Sequence, residues 1–128
     1  MRWTYSCPHC EAMLNPDETV ILIGEQDDTR VLVGFHPTPG NYKAYVPPGI
    51  ELPVGIQWEF FCPMCLQNLV TEAVPELCAL DMVSGGDRHR VYFSRIAGDK
   101  ATFVISAEGI ERLGADHERH SLELLEQI

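Results

Sequence analysis

Two Cys-Pro-x-Cys motifs are the residues of this chain whose types and spacing point most directly to chemistry. Cys7-Pro8-His9-Cys10 stands near the N-terminus, and Cys62-Pro63-Met64-Cys65 stands near the middle. Thiolates suit zinc, and two cysteines three positions apart can wrap one ion in a tight turn. A second such turn completes the tetrahedron. We therefore predict one zinc ion (Zn2+) held by Cys7, Cys10, Cys62 and Cys65.

The length of chain between the two motifs does not argue against a shared ion. It contains 51 residues, Glu11 through Phe61. Closing a loop of this length costs roughly 3.5 kcal/mol, whereas binding of a structural zinc ion contributes on the order of 10 kcal/mol. Four protein ligands leave no open coordination position for water, so we expect the zinc to be structural and not catalytic.

The two motifs resemble those of zinc-ribbon and zinc-knuckle proteins, including small uncharacterised bacterial proteins with two Cys-Pro-x-Cys motifs. The resemblance covers the motifs and the overall length, and it implies a binding or scaffolding role. Many such knuckles have glycine after the second cysteine, whereas this chain has Glu11 and Leu66 there. This difference leaves open a treble-clef-like site, in which Cys62 and Cys65 begin a helix.

Other uses of the cysteines remain open at this point. Four cysteines do not select zinc over iron by themselves, so an iron electron-transfer protein is an alternative. A thiol redox role is another, because Cys62 follows an apolar strand, but the alternating strands and helices of a thioredoxin-like fold are missing. The fifth cysteine, Cys78, stands in an apolar segment and is typical of a buried inert thiol.

The charge of the chain bears on its partners. The formal net charge is −10, from 19 acidic and 9 basic residues. This excess of acid disfavours nucleic acid, whose binders neutralise phosphates with lysine and arginine. The charge favours solubility and a basic protein partner. Tyr42, Tyr45 and the prolines nearby could form an exposed apolar face, which would suggest an unidentified protein partner or a homodimer. A nucleic-acid-binding accessory is the alternative, and it would use a local basic cluster formed by Arg88, His89, Arg90, Arg95 and Lys100.

Several further features limit the function classes. We see no apolar run long enough for a signal peptide or a membrane span, which predicts a cytoplasmic protein without membrane contact. No nucleophile–base arrangement surrounds any serine, so we expect no enzyme activity and no catalytic residue. His117 and His120 could bind a second metal, although a solvated charged tail over 115–128 explains them as well.

The elements expected to position the cysteines follow from the apolar pattern. The 128 residues suit a single zinc-binding domain over 1–128. Apolar runs at 20–23 and 31–35 predict an inserted β-hairpin, and alternating segments predict a C-terminal β-meander at about 79–105. Helical spacing over 66–74, and a capping serine at 106, predict one or two short helices. The predicted fold class is α+β, mostly β.

Overall fold

Strands alone make up the regular secondary structure of residues 3–72, 74–106 and 109–116, which the computed structural model describes. They form two antiparallel sheets, a five-stranded sheet in the order β1-β6-β7-β8-β9 and a four-stranded sheet in the order β4-β3-β2-β5. No helix that could span a membrane occurs in these residues. The strands are β1 Thr4–Ser6, β2 Val20–Gln26, β3 Thr29–Phe35, β4 Ala44–Tyr45, β5 Glu59–Phe61, β6 Leu77–Ser84, β7 Asp87–Ser94, β8 Thr102–Ser106 and β9 Gly109–Leu113.

The predicted helix over 66–74 is wrong. The backbone of Leu66 has a φ of +62°, which turns the chain back instead of continuing into a helix. Asn68 then forms an isolated β-bridge with Phe61. Leu69 packs into the main core, whereas Val74 belongs to a second, separate apolar cluster. The apolar residues at helical spacing therefore pack into two different clusters and do not form one buried face of a helix.

The predicted helix over 106–113 is also wrong. Ser106 ends β8, and Gly109–Leu113 is the edge strand β9, paired antiparallel with β8 from Thr102↔Leu113 to Ser106↔Gly109. Ile110 packs against the second cluster and Leu113 against the main core. Residues three apart in a strand lie on opposite faces, which accounts for this division. The described part of the chain is thus all-β, and the α+β class is corrected.

The long hairpin after the first cysteine pair coincides with the strands predicted at 20–23 and 31–35. Its strands β2 and β3 pair from Val20↔Phe35 to Gln26↔Thr29. Side chains of β2 alternate between buried and half-buried, as expected for a strand that covers a core. Gly24 allows the close approach of its neighbours, because a Cβ atom there would lie 2.8 Å from Val33 and 3.3 Å from Trp58.

The main core is shared by both sheets. Leu22 of the four-stranded sheet and Leu80, Val91 and Val104 of the five-stranded sheet belong to one buried cluster. A smaller cluster forms separately. Its buried members are Val74, Leu77, Ala101 and Phe103. Both cysteine turns are attached to the larger cluster, since Cys7 and Cys62 are among its buried members.

The two sheets exchange strands in a reciprocal way. β1 leads into the first cysteine turn, yet it pairs with β6, the strand that follows the second turn. β5 leads into the second cysteine turn, yet it pairs with β2, the strand that follows the first. Each half of the chain is therefore a short strand, a cysteine turn and a long hairpin. This repeat is visible in the sequence only as the doubled motif.

Candidate metal centre

The first cysteine turn reverses the chain within six residues. The N–H of Glu11 donates to the carbonyl of Cys7 at 2.9 Å, and the N–H of Cys7 donates to the carbonyl of Ala12 at 3.0 Å. Glu11 has a φ of +63°, in the left-handed region that favours glycine. The N–H of His9 points back at the Cys7 Sγ atom, 3.3 Å away. Backbone groups of the turn therefore hold the Cys7 Sγ atom in position.

The second turn repeats the first bond for bond. The N–H of Leu66 donates to the carbonyl of Cys62 at 2.9 Å, and the N–H of Cys62 donates to the carbonyl of Gln67 at 3.0 Å. The Cys62 Sγ atom accepts N–H groups from Met64 at 3.3 Å and from Cys65 at 3.5 Å. Leu66 has a φ of +62°, close to the +63° of Glu11, so the two turns share the same backbone conformation after the second cysteine. No helix follows it in the described residues 66–72, which excludes the treble-clef alternative.

The four sulfur atoms converge on one point. All lie within 4.8 Å of one another. Cys7 and Cys65 are 3.8 Å apart, and Cys10 and Cys62 are 3.7 Å apart, measured between Sγ atoms. A tetrahedral zinc ion with Zn–S bonds of about 2.3 Å separates its sulfurs by about 3.8 Å. The four thiols that the motif predicts are therefore positioned to hold a metal ion.

The cysteines differ in exposure according to their place in the turn. Cys7 and Cys62, the first of each pair, are fully buried, whereas Cys10 is exposed and Cys65 is half-buried. Burial raises the pKa of the Cys7 thiol to about 12, despite N–H groups nearby that lower it. A bound cation would reverse this preference, because metal ligation requires the thiolate and releases the proton. Metal binding would therefore favour the ionised form of the buried Cys7 sulfur.

The other sequence candidates lie apart from this centre. Cys78 is fully buried in the main core and does not belong to the four-sulfur cluster. Burial raises the pKa of its thiol from 9.0 to about 12, as an inert structural thiol requires. His9 contributes its backbone N–H to the centre. The second metal site considered at His117 and His120 lies outside the described residues.

The basic cluster is largely engaged within the chain. The Arg90 Nε atom donates to the Asp81 Oδ1 atom at 2.7 Å, and Arg88 lies 3.9 Å from a carboxylate oxygen of Glu11. Arg95 donates through Nε to the carbonyl of Pro75 at 2.8 Å. These contacts give all three arginines partners within the chain.

Sequence reasoning missed Asn15 as a residue that supports the metal centre. Asn15 is buried, accepts the N–H of Tyr5 at 2.8 Å and donates to the carbonyl of Trp3 at 2.7 Å. It therefore joins the strand that enters the first turn to the segment that leaves it. In the sequence, the Asn15-Pro16 pair indicates only a turn.

Comparisons with protein-family models, curated proteins and solved structures each found no match to this chain.

Proposed function

We propose that the chain is a non-enzymatic protein in which one structural zinc ion joins two halves and holds a surface that binds another protein. The observation that carries the proposal is the convergence of four thiols from two different turns. Cys7, Cys10, Cys62 and Cys65 would hold the ion. Zinc supplies a tetrahedral centre without redox chemistry, and four thiolates fill it completely.

The position of the centre supports a structural role for the ion. The four sulfurs lie where β1 and β5 end and where the two halves exchange strands. A metal ion there cross-links segments that are far apart in the sequence. Such a link favours the folded chain because the unfolded chain has no preformed site.

The surface around the turns supports a protein partner. Three large apolar side chains in or next to the turns are strongly exposed: Met13 at 57%, Met64 at 71% and Leu66 at 59%. We call these three residues the knuckle surface. Methionine is enriched in protein interfaces, and exposed large apolar side chains such as these favour contact with another protein. A second copy of the chain or another protein would cover this surface.

The alternatives draw less support from the described residues. Nucleic acid would have to displace the contacts of Arg90 with Asp81 and of Arg95 with main-chain carbonyls, against a net charge of −10. Iron in the same four-thiolate site would give electron transfer. Iron differs from zinc in one simple observable, the visible absorbance of its thiolate complex.

Elemental analysis of protein purified without added metal tests the zinc part of the proposal. We expect one zinc per chain, no visible absorbance, and four thiols released when a chelator removes the ion. Iron, or a metal-free protein with oxidised cysteine pairs, would replace the structural role with redox chemistry.

Sedimentation at several protein concentrations tests the homodimer form of the proposal. We expect Met64→Glu to dissociate a dimer that uses the knuckle surface, because it places a charge in an apolar contact. Val54→Glu is the matched control, since Val54 is 83% exposed but lies outside the knuckle surface. A native chain that stays monomeric throughout would restrict the proposal to a different protein partner.

A further inference from the structure

A cavity of about 250 Å³ lies between the two sheets, and the metal centre makes no use of it. Its walls come from the inner faces of the strands, from the segment after β3 and from the connection between β7 and β8. Cavities of about 150 Å³ with apolar walls bind benzene in other proteins. This cavity therefore has room for a molecule somewhat larger than a single ring.

Three phenylalanines from both sheets line the cavity. The ring centroids of Phe35 and Phe60 are 5.4 Å apart, and Phe93 lies 6.0 Å from the first and 5.9 Å from the second. Phe60 is buried, but Phe35 and Phe93 keep part of their surface open although they pack against the main core. Part of the aromatic surface therefore faces the cavity without a packing partner, and a flat apolar ligand would pack against it.

Cationic and donor groups line the same cavity. The His36 Nδ1 atom accepts the N–H of Thr38 at 3.1 Å, so its Nε2 atom carries the proton in the neutral ring and is a donor. Lys100 also lines the cavity and forms no ion pair with a carboxylate in the described part of the chain. Arg95 lines the cavity too, but its guanidinium already donates to carbonyls of the chain.

One acidic residue lines the cavity as well. The Asp99 Oδ2 atom accepts the hydroxyl of Ser94 at 2.6 Å, and Asp99 is buried. Its single negative charge is outnumbered by the charges of Arg95 and Lys100. The lining therefore has a net positive charge beside an apolar, aromatic wall.

We propose that this cavity binds a small planar aromatic carboxylate. The ring lies against Phe35, Phe60 and Phe93, and the carboxylate is attracted by Lys100. Aromatic rings favour offset or edge-to-face contacts at the spacing found among these three side chains. A carboxylate adds charge-assisted interactions that an uncharged analogue of the same shape lacks.

The experiment uses the full chain as purified, with its metal, labelled with ¹⁵N for NMR. The probes are 2-naphthoate and its uncharged analogue 2-naphthamide. We expect saturable shifts for residues that line the cavity, among them the Trp58 indole N–H. We also expect a Kd for the naphthoate about tenfold lower than that for the amide, as a charge-assisted contact predicts.

Three variants separate the cavity from the rest of the surface. Ala97→Leu fills the cavity and should weaken both probes about tenfold, while Lys100→Gln should weaken only the naphthoate, about threefold to tenfold. Lys43→Gln is the control, since Lys43 lies over the Tyr45 ring and outside the cavity. Thermal unfolding checks that each variant remains folded.

Three results would overturn the proposal. Shifts confined to residues outside the cavity would show surface binding only. Unchanged affinity in a folded Ala97→Leu protein would place the probe elsewhere. Equal affinity for the naphthoate and the amide would exclude recognition of the carboxylate. None of these results bears on the metal content, so the zinc proposal stands or falls separately.

Discussion

The Cys10 Sγ atom lies 3.7 Å from the Cys62 Sγ atom, although the two cysteines belong to different turns. Cys7 and Cys65 form the equivalent contact at 3.8 Å. Each contact joins a fully buried cysteine of one turn to a more exposed cysteine of the other. The four-thiol cluster therefore joins the two halves of the chain.

Cys62→Ser should remove the metal and destabilise the fold. The loss of one thiolate opens the tetrahedron, and Cys62 also accepts two backbone N–H groups. We expect less than about a tenth of a metal equivalent per chain, and a free energy of unfolding lower by more than about 4 kcal/mol. Elemental analysis and denaturant unfolding measure the two effects. Native metal content together with native stability would contradict the structural role.

Cys78→Ser should keep the metal. Cys78 is fully buried but lies outside the four-sulfur cluster, so its replacement puts a hydroxyl into an apolar core. We expect a free energy of unfolding lower by about 1–3 kcal/mol and one metal ion per chain, as in the native protein. Metal analysis of the purified variant is the check. Loss of a full equivalent would mean that Cys78 is a ligand.

The cysteines should differ in their rates of alkylation. Cys10 is exposed and Cys65 is half-buried, whereas Cys7, Cys62 and Cys78 are fully buried. In metal-loaded protein treated with iodoacetamide, we expect Cys10 and Cys65 to react about tenfold faster than the other three. Mass spectrometry of peptides taken at early times gives the order. Earlier modification of Cys7 or Cys62 would contradict the arrangement of the turns.

Leu66→Gly should stabilise the protein. Leu66 has a φ of +62°, a conformation that costs a side-chain-bearing residue about 1–2 kcal/mol and costs glycine almost nothing. The greater entropy of glycine in the unfolded chain offsets part of this gain, so we expect a net increase of about 0.5–1 kcal/mol. Leu66→Ala loses the same exposed side chain but keeps the Cβ atom, so its free energy of unfolding should not increase. Denaturant unfolding of both variants measures the difference.

The stability of the protein should fall at alkaline pH through Cys78. Burial raises the pKa of its thiol from 9.0 to about 12, so above pH 9 the unfolded chain releases a proton that the folded chain retains. The contribution of the Cys78 thiol to the free energy of unfolding is complete below pH 9. It is lost at up to about 1.4 kcal/mol per pH unit as the pH rises toward 12. Denaturant unfolding between pH 8 and 10.5 measures it, and Cys78→Ala should lack this part of the slope.

The four-thiol cluster could be predicted because its chemistry is local. Each pair of cysteines is three positions apart, and the residue type alone selects the class of ligand. The conformation of Glu11 and Leu66 could not be read in the same way. Both take the backbone conformation that glycine prefers, although neither is glycine. The hydrogen bonds of each turn hold these two residues in this conformation.

The helices were predicted wrongly for one common reason. Apolar residues at helical spacing, such as Leu69 and Val74, pack into different clusters on different parts of the sheets. Ile110 and Leu113 are separated in the same manner, on opposite faces of β9. Periodicity records only which residues are apolar, so it cannot distinguish one buried face from two. The exchange of β1 and β5 between halves depends on long-range pairing, which no local pattern reports.

The reciprocal pairing of β1 with β6 and of β5 with β2 has a further consequence for how such a molecule can be assembled. Each half contains one short strand that pairs with the other half, one hairpin that pairs with the short strand of the other half, and two cysteines. A polypeptide of half this length therefore has every part needed to form a symmetric, strand-swapped dimer around a single ion. The chain has the same arrangement of strands and cysteines as such a dimer. The connection from β4 to β5 joins the two halves into one polypeptide.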